Sequence, residues 1–220
     1  MTLRMLKKEL RLCSHPAAWL LLLTGAMALI PNYPYPVIYF YLTLGVFFIC
    51  LSGRENHDVT FTMTLPVSRR DLVRGRMSFA ILLEVIELAL TALFVVLHGL
   101  LYGPDAPGNA AGMDANLALI AEGFLFFGVY HLVFFPSYYR DVDRVGVSFV
   151  KSAVALGVLA VLEIVCCYAL PFWRDRLDTP DPQQLGAKCV FFAVCLVFYL
   201  GATALAYRSS LRRFERLDLK

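Results

Sequence analysis

The run FAILLEVIELALTALFVVLHGLL, residues Phe79–Leu101, holds twenty-three positions of which only Glu84, Glu87 and His98 are ionisable. A helix of that length, at ~1.5 Å per residue, crosses a hydrocarbon core of ~30 Å. Five further apolar runs flank it: Ala17–Ile30, Val37–Leu51, Leu117–Phe135, Val145–Leu170 and Cys189–Ala206. The last three are long enough to span. The first two, at fourteen and fifteen residues, are short for the task, and either extend into flanking residues or form a re-entrant hairpin. Both alternatives return the chain to its starting side. Composition agrees, with 59% hydrophobic and 17% charged residues, against about 25% charged in soluble domains.

The expected fold class is an all-α integral membrane protein. One domain over 1–220 would hold six transmembrane helices near 15–31, 36–53, 77–102, 116–137, 145–170 and 188–207. An amphipathic helix over 1–14, a loop over 54–76 and a tail over 208–220 would complete it. The cationic start and the apolar run after it have the outline of a signal peptide. That run reaches Pro31 without a small-residue cleavage site, so a retained first helix is expected.

Lysine and arginine placement orients the chain, because cytoplasmic loops accumulate these residues. Of the 20 Lys and Arg, seventeen fall at the N-terminus, between spans two and three, around Arg140–Lys151, and in the tail. Only Arg174, Arg176 and Lys188 lie on the other side. A multi-pass protein of the plasma membrane with both termini cytoplasmic is expected. The net charge of +3 is too small to indicate nucleic acid. The six cysteines (Cys13, Cys50, Cys166, Cys167, Cys189, Cys195) lack metal-ligand spacing. Packing is their expected role, without disulfides or a metal.

Two segments on the basic side are informative. In MTLRMLKKELRL, Leu3, Leu6 and Leu10 recur at helical spacing beside Arg4, Lys7, Lys8 and Arg11, which suits a helix lying in the headgroup layer. The loop RENHDVTFTMTLPVSRRDLVRGRM (Arg54–Met77) breaks at Leu65-Pro66. Ser68 then stands three residues before Asp71, a capping-box spacing that starts a new helix. Ahead of the proline, Val59, Phe61, Met63 and Leu65 alternate with Asp58, Thr60, Thr62 and Thr64, and periodicity alone suggests a short strand. Either way the loop offers exposed apolar side chains amid charge, as a docking surface does.

The run LPVSRRDLVRGR (Leu65–Arg76) resembles a signature of small ABC-2-type transporter permeases. The tail SLRRFERLDLK resembles that family's ending, and FFPSYYRDVDRV (Phe134–Val145) resembles its short inner loop after the fourth span. The resemblance implies a non-catalytic permease subunit of an ATP-driven exporter that borrows its ATPase. It implies a coupling helix over Glu55–Leu65, replacing the strand reading, with Asp58, Val59, Phe61, Met63 and Leu65 facing the ATPase. Leu65, Pro66, Val67, Ser68 and Arg69 would fix the turn into the third span. Tyr139, Arg140 and Arg144 would form a second, smaller contact. The N-terminal helix would correspond to the family's connecting helix. Six spans supply half a path, so a second permease subunit, identical or sibling, is an expected partner beside the ATPase and the bilayer. Peptides and amphipathic antimicrobials are common substrates of the resembled family.

Four acids fall inside spans: Glu84, Glu87, Glu122 and Glu163. Each costs about 2.5–3.5 kcal/mol at a bilayer's centre, so each should face protein or a wet cavity. They line a substrate path on one reading and make interhelical hydrogen bonds on the other. The chain has no G-x-x-x-x-G-K-[ST] phosphate loop, no H-E-x-x-H and no His near Ser148. No catalytic residue or cofactor is expected. The competing reading is a membrane accessory, immunity or sensor protein without transport.

Overall fold

In the computed structural model of the protein, residues 2–103, 109, 111–179 and 182–217 are described. The side chain of Leu3, most of the outer loop over 104–110 and the tail from Asp218 lie outside that set. The fold is all-α, 84% helical, with no strand among the described residues. Helix α1 (Thr2–Lys8) continues as a π-helical turn, Glu9–Cys13. Pro16 then opens α2 (Pro16–Leu21), at a position where its missing N–H costs nothing. Because proline also bars helix from the residue before it, the chain bends by 98° between Arg4–Cys13 and Pro16–Leu29. His15 Nδ1 caps the new helix by accepting from the Ala17 N–H at 3.2 Å.

The first apolar run changes helix type along its length. After six α-helical residues it becomes a 3-10 helix over Leu22–Leu29. At ~2.0 Å rise per residue instead of ~1.5 Å, the fourteen residues extend to about 25 Å. A turn through Asn32, at φ 55°, leads to α3 (Pro36–Glu55). His57, also left-handed at φ 51°, turns the chain into the short α4 (Asp58–Thr64).

Four long helices follow: α5 (Arg69–Tyr102), α6 (Leu117–Tyr138), α7 (Val145–Ala169) and α8 (Leu185–Glu215). With α3 they make five helices long and apolar enough to cross a membrane, and the bent N-terminal pair makes a sixth candidate. Helices α3 and α6 are central, more than half buried along their spans, whereas α7 and α8 are mostly exposed. The centre is aromatic. Tyr130, Phe134 and Tyr138 stack along α6, and the Tyr39 hydroxyl donates to the Leu119 carbonyl at 2.7 Å. Gly123 lets α3, α5 and α6 meet, since a Cβ there would lie 2.4 Å from Leu88 and 2.8 Å from Tyr39.

The segment over 59–65 is helical, as the resemblance implies and against the strand suggested by alternation alone, but the helix covers Asp58–Thr64, with Glu55 ending α3. Val59 and Thr62 are buried while Phe61 and Leu65 are exposed, a spacing of three that a helix satisfies and a strand does not. The Thr64 hydroxyl donates to the Phe61 carbonyl at 2.7 Å, so a β-favouring residue is absorbed by local back-bonding.

Candidate functional site

The basic end of the bundle gathers α1, α4 and the start of α5 around one guanidinium. Arg76, 2% exposed, places Nε 2.7 Å from Glu9 Oε2 and Nη2 2.7 Å from Asp58 Oδ2. Lys8 Nζ bridges the same two acids, 2.5 Å from Asp58 and 3.3 Å from Glu9. Two cations thus balance two anions inside the protein, the condition under which buried charge is tolerated. Gly53 makes room for the guanidinium, because a Cβ there would stand 3.2 Å from Arg76 Nη1. Gly75 does the same for α1, which passes so close that a Cβ would lie 2.9 Å from Met5.

Electrostatics follow from this packing. Burial pushes the Asp58 carboxyl up, but Arg76 and Lys8 outweigh it and hold the group below the usual carboxylate range. Burial also works against the Lys8 ammonium, and the Glu9 and Asp58 carboxylates overcome it and raise its pKa. Burial pushes the Cys13 thiol up to about 12. Glu9, Cys13 and Asp58 place potential ligand atoms within 4.8 Å of one another. They do not fit a resident metal as they stand, since both carboxylates are committed to Lys8 and Arg76.

A second cluster joins the three motifs. Arg69 Nη1 donates to the carbonyls of Phe214 (2.5 Å) and Leu217 (3.1 Å), and its guanidinium lies 5.4 Å from the Phe214 ring centroid. A cation on the last carbonyls of α8 is favourable both as a hydrogen bond and against the helix dipole. On its other side the Phe214 ring meets Tyr139 at 5.2 Å. Arg213 Nη1 donates to the Pro136 carbonyl at 2.9 Å. Segments far apart in sequence therefore form one packed cluster at the basic face.

The remaining candidate residues divide by exposure. Phe61 (64% exposed) and Leu65 (46%) project from α4 and the turn after it. Met63 is half-buried, and Val59 packs inward. Glu55 is exposed beside Arg54, and Pro66 is exposed. Ser68 caps α5 by accepting from the Asp71 N–H at 3.1 Å and donating to its carboxylate at 2.7 Å. Arg69 is spent on α8 rather than turned outward. In the inner loop, Arg140 and Arg144 are exposed, Arg144 pairing with Asp141 at 3.3 Å, whereas Tyr139 is buried beneath them.

The four acids of the spans do not form one group, although Glu122 and Glu163 lie near enough to interact. Glu84 accepts from Tyr199 at 2.6 Å and sits 2.8 Å from His131 Nε2, whose Nδ1 contacts Thr203 at 2.8 Å, so it ties α5 to α6 and α8. Glu87 turns to the first span, where Thr24 donates to it at 3.2 Å. Glu163 accepts the Met113 N–H at 3.1 Å and anchors the outer loop. Glu122 is buried on α6 with Oε2 unpartnered. Bonds between helices thus hold Glu84 and Glu87, whereas Glu163 bonds to a loop amide and to Cys167 of its own helix.

Neither Glu9 nor Arg76 was marked as special by spacing. The available signal was that Glu9 is the single acid in the basic stretch 1–12. A family model described as ABC-2 family transporter protein matches residues 4–215. No curated protein matches the chain, and no solved structure does.

Proposed function

The chain belongs to the ABC-2 transporter family, and from that premise we propose that it is the permease of an ATP-driven exporter whose ATPase docks on α4. The family supplies the membrane component of an ABC transporter and not the ATPase. The observation that carries the docking reading is the exposure of Phe61 and Leu65 at the charged end of the bundle. Exposed large apolar side chains on a charged surface are characteristic of a protein contact. Asp58, one turn away on the same short helix, is paired to Arg76 at the base of α5. A push on α4 would reach α5 and α1 through that buried pair without passing through a flexible linker.

On this reading both termini face the cytoplasm, as the seventeen-to-three cation distribution requires. Arg140 and Arg144 supply the lesser contact. Two copies, or one copy and a sibling, enclose the path, and the cargo is a peptide or a similar amphipathic molecule.

Co-purification with an ABC ATPase encoded beside this chain tests the proposal. Phe61→Asp, together with reversal of charge at Glu55, should abolish complex formation while the permease remains monodisperse. Retention of both the complex and permease-stimulated ATP hydrolysis in that variant would reject α4 as the docking element. Failure of any ABC ATPase to associate with the unaltered chain would favour the non-transporting accessory reading.

A further inference from the structure

Three arginines, Arg208, Arg212 and Arg216, stand at i, i+4 and i+8 near the end of α8. All three are exposed, and none is ion-paired to a carboxylate among the described residues. Like charges at i, i+4 repel, and no carboxylate among the described residues offsets them, so the stripe is open to an anion. The stripe lines a cavity of about 570 Å³ between α6 and α8. Leu132 on the facing α6 and Leu205 one turn before Arg208 on α8, 37% and 59% exposed, also line it. Arg213 closes the back by holding the Pro136 carbonyl.

The cavity therefore grades from apolar to cationic within one turn of α8, at the boundary where a span leaves the hydrocarbon. That gradient matches a lipid better than a soluble acidic protein, which has nothing to place against Leu132 and Leu205. Guanidinium groups bind phosphate oxygens in a bidentate manner, and basic pockets between membrane helices hold anionic headgroups. We propose that this cavity binds an anionic phospholipid, with its headgroup phosphate on Arg208, Arg212 and Arg216 and its acyl chains along Leu132 and Leu205. The site needs only that the chain be embedded in a membrane, so it stands apart from the docking of an ATPase on α4.

Native mass spectrometry of the full chain, purified in detergent and titrated with phosphatidylglycerol or phosphatidylcholine, tests this. Phosphatidylglycerol should be retained and phosphatidylcholine lost. Arg208→Gln/Arg212→Gln/Arg216→Gln should weaken phosphatidylglycerol retention about a hundredfold, from three basic contacts removed. Arg174→Gln/Arg176→Gln, at the other end of the bundle, should leave retention unchanged. Glycerol 3-phosphate, which lacks the acyl chains, should compete poorly. Equal retention of the two lipids, undiminished retention in the α8 variant, or full displacement by glycerol 3-phosphate would each overturn the proposal. So would an equal loss in the Arg174→Gln/Arg176→Gln variant, which would mean diffuse charge rather than a site. Cross-linking from position 212 to an ATPase subunit in place of lipid would also overturn it.

Discussion

The Arg76 guanidinium meets the Glu9 carboxylate at 2.7 Å, with 2% and 0% of the two side chains exposed. This pair ties the N-terminal helix to the root of α5, and Asp58 extends it to α4. Breaking a buried ion pair from one side leaves the other charge uncompensated, which costs about 3–5 kcal/mol. Arg76→Met should therefore lower the unfolding temperature of the purified chain sharply. Glu9→Met/Arg76→Met should recover much of the loss, because both charges are then gone. A double variant as unstable as the single one would show that the guanidinium acts through packing alone.

The pH response of two aspartates should run in opposite directions. Asp58 has a lowered pKa in the folded chain, so its stabilisation is present above the unfolded value near 3.9 and is lost as pH falls through the lower folded value. Asp58→Asn should cost stability at pH 7 and cease to matter in strong acid. Asp178, in the outer loop, is pushed up to about 6, chiefly by burial. A raised acid pKa favours the protonated fold, so stability from this group declines as pH rises from about 4 through 6. Asp178→Asn should raise thermal stability at pH 7.5 and confer no advantage below pH 4. Unfolding temperatures across pH 3 to 8 would separate the two profiles.

Close packing of α1 on α5 should be sensitive to one methyl group. A Cβ at Gly75 would lie 2.9 Å from Met5, whereas at Gly157, on α7, nothing lies within 4 Å. Overpacking of this kind costs about 1–3 kcal/mol, while an unhindered Gly→Ala change in a helix gains up to about 1 kcal/mol. Gly75→Ala should lower the melting temperature and increase proteolysis of the N-terminal helix, and Gly157→Ala should hold or raise it. Equal behaviour of the two would mean that α1 does not rest on Gly75.

Glu84 is the hub of a polar network joining three spans. Glu84→Ala strands the Tyr199 hydroxyl and the His131 ring nitrogen, at about 1–3 kcal/mol for each buried group left unpaired. Glu84→Gln keeps an acceptor and a donor in place and should cost less than half as much. Thermal unfolding in one detergent would rank them. Equal loss in both variants would require the carboxylate's charge rather than its hydrogen bonds.

How much of this was legible beforehand depended on whether the relevant physics was local. The capping of α5 by Ser68 was readable, because a cap is a three-residue relation. The strand suggested over Val59–Leu65 was not a safe reading. Alternating threonines carry a β signal, but the Asp58–Arg76 pair and inward packing of Val59 and Thr62 impose a helix. The short first run looked marginal because its length was counted at α-helical rise, and only the structure revealed the 3-10 stretch over Leu22–Leu29. Placing Glu84, Glu87, Glu122 and Glu163 together as a path lining followed from their shared apolar setting. In the structure Glu84 and Glu87 find partners on different helices, while Glu122 and Glu163 lie near each other.

Sequence by itself determined that the chain is an all-α membrane protein with charge gathered on one face, since hydropathy and Lys/Arg bias sum over many residues and need no partners. It also marked the three motifs whose family the chain shares. Tertiary structure alone decided that Arg69, Tyr139 and Phe214 form one cluster, and that Arg76 reaches Glu9 and Asp58. Those contacts join side chains from separate helices. Each depends on how α1, α4, α5, α6 and α8 pack, and packing is fixed by the whole chain at once rather than by any segment within it.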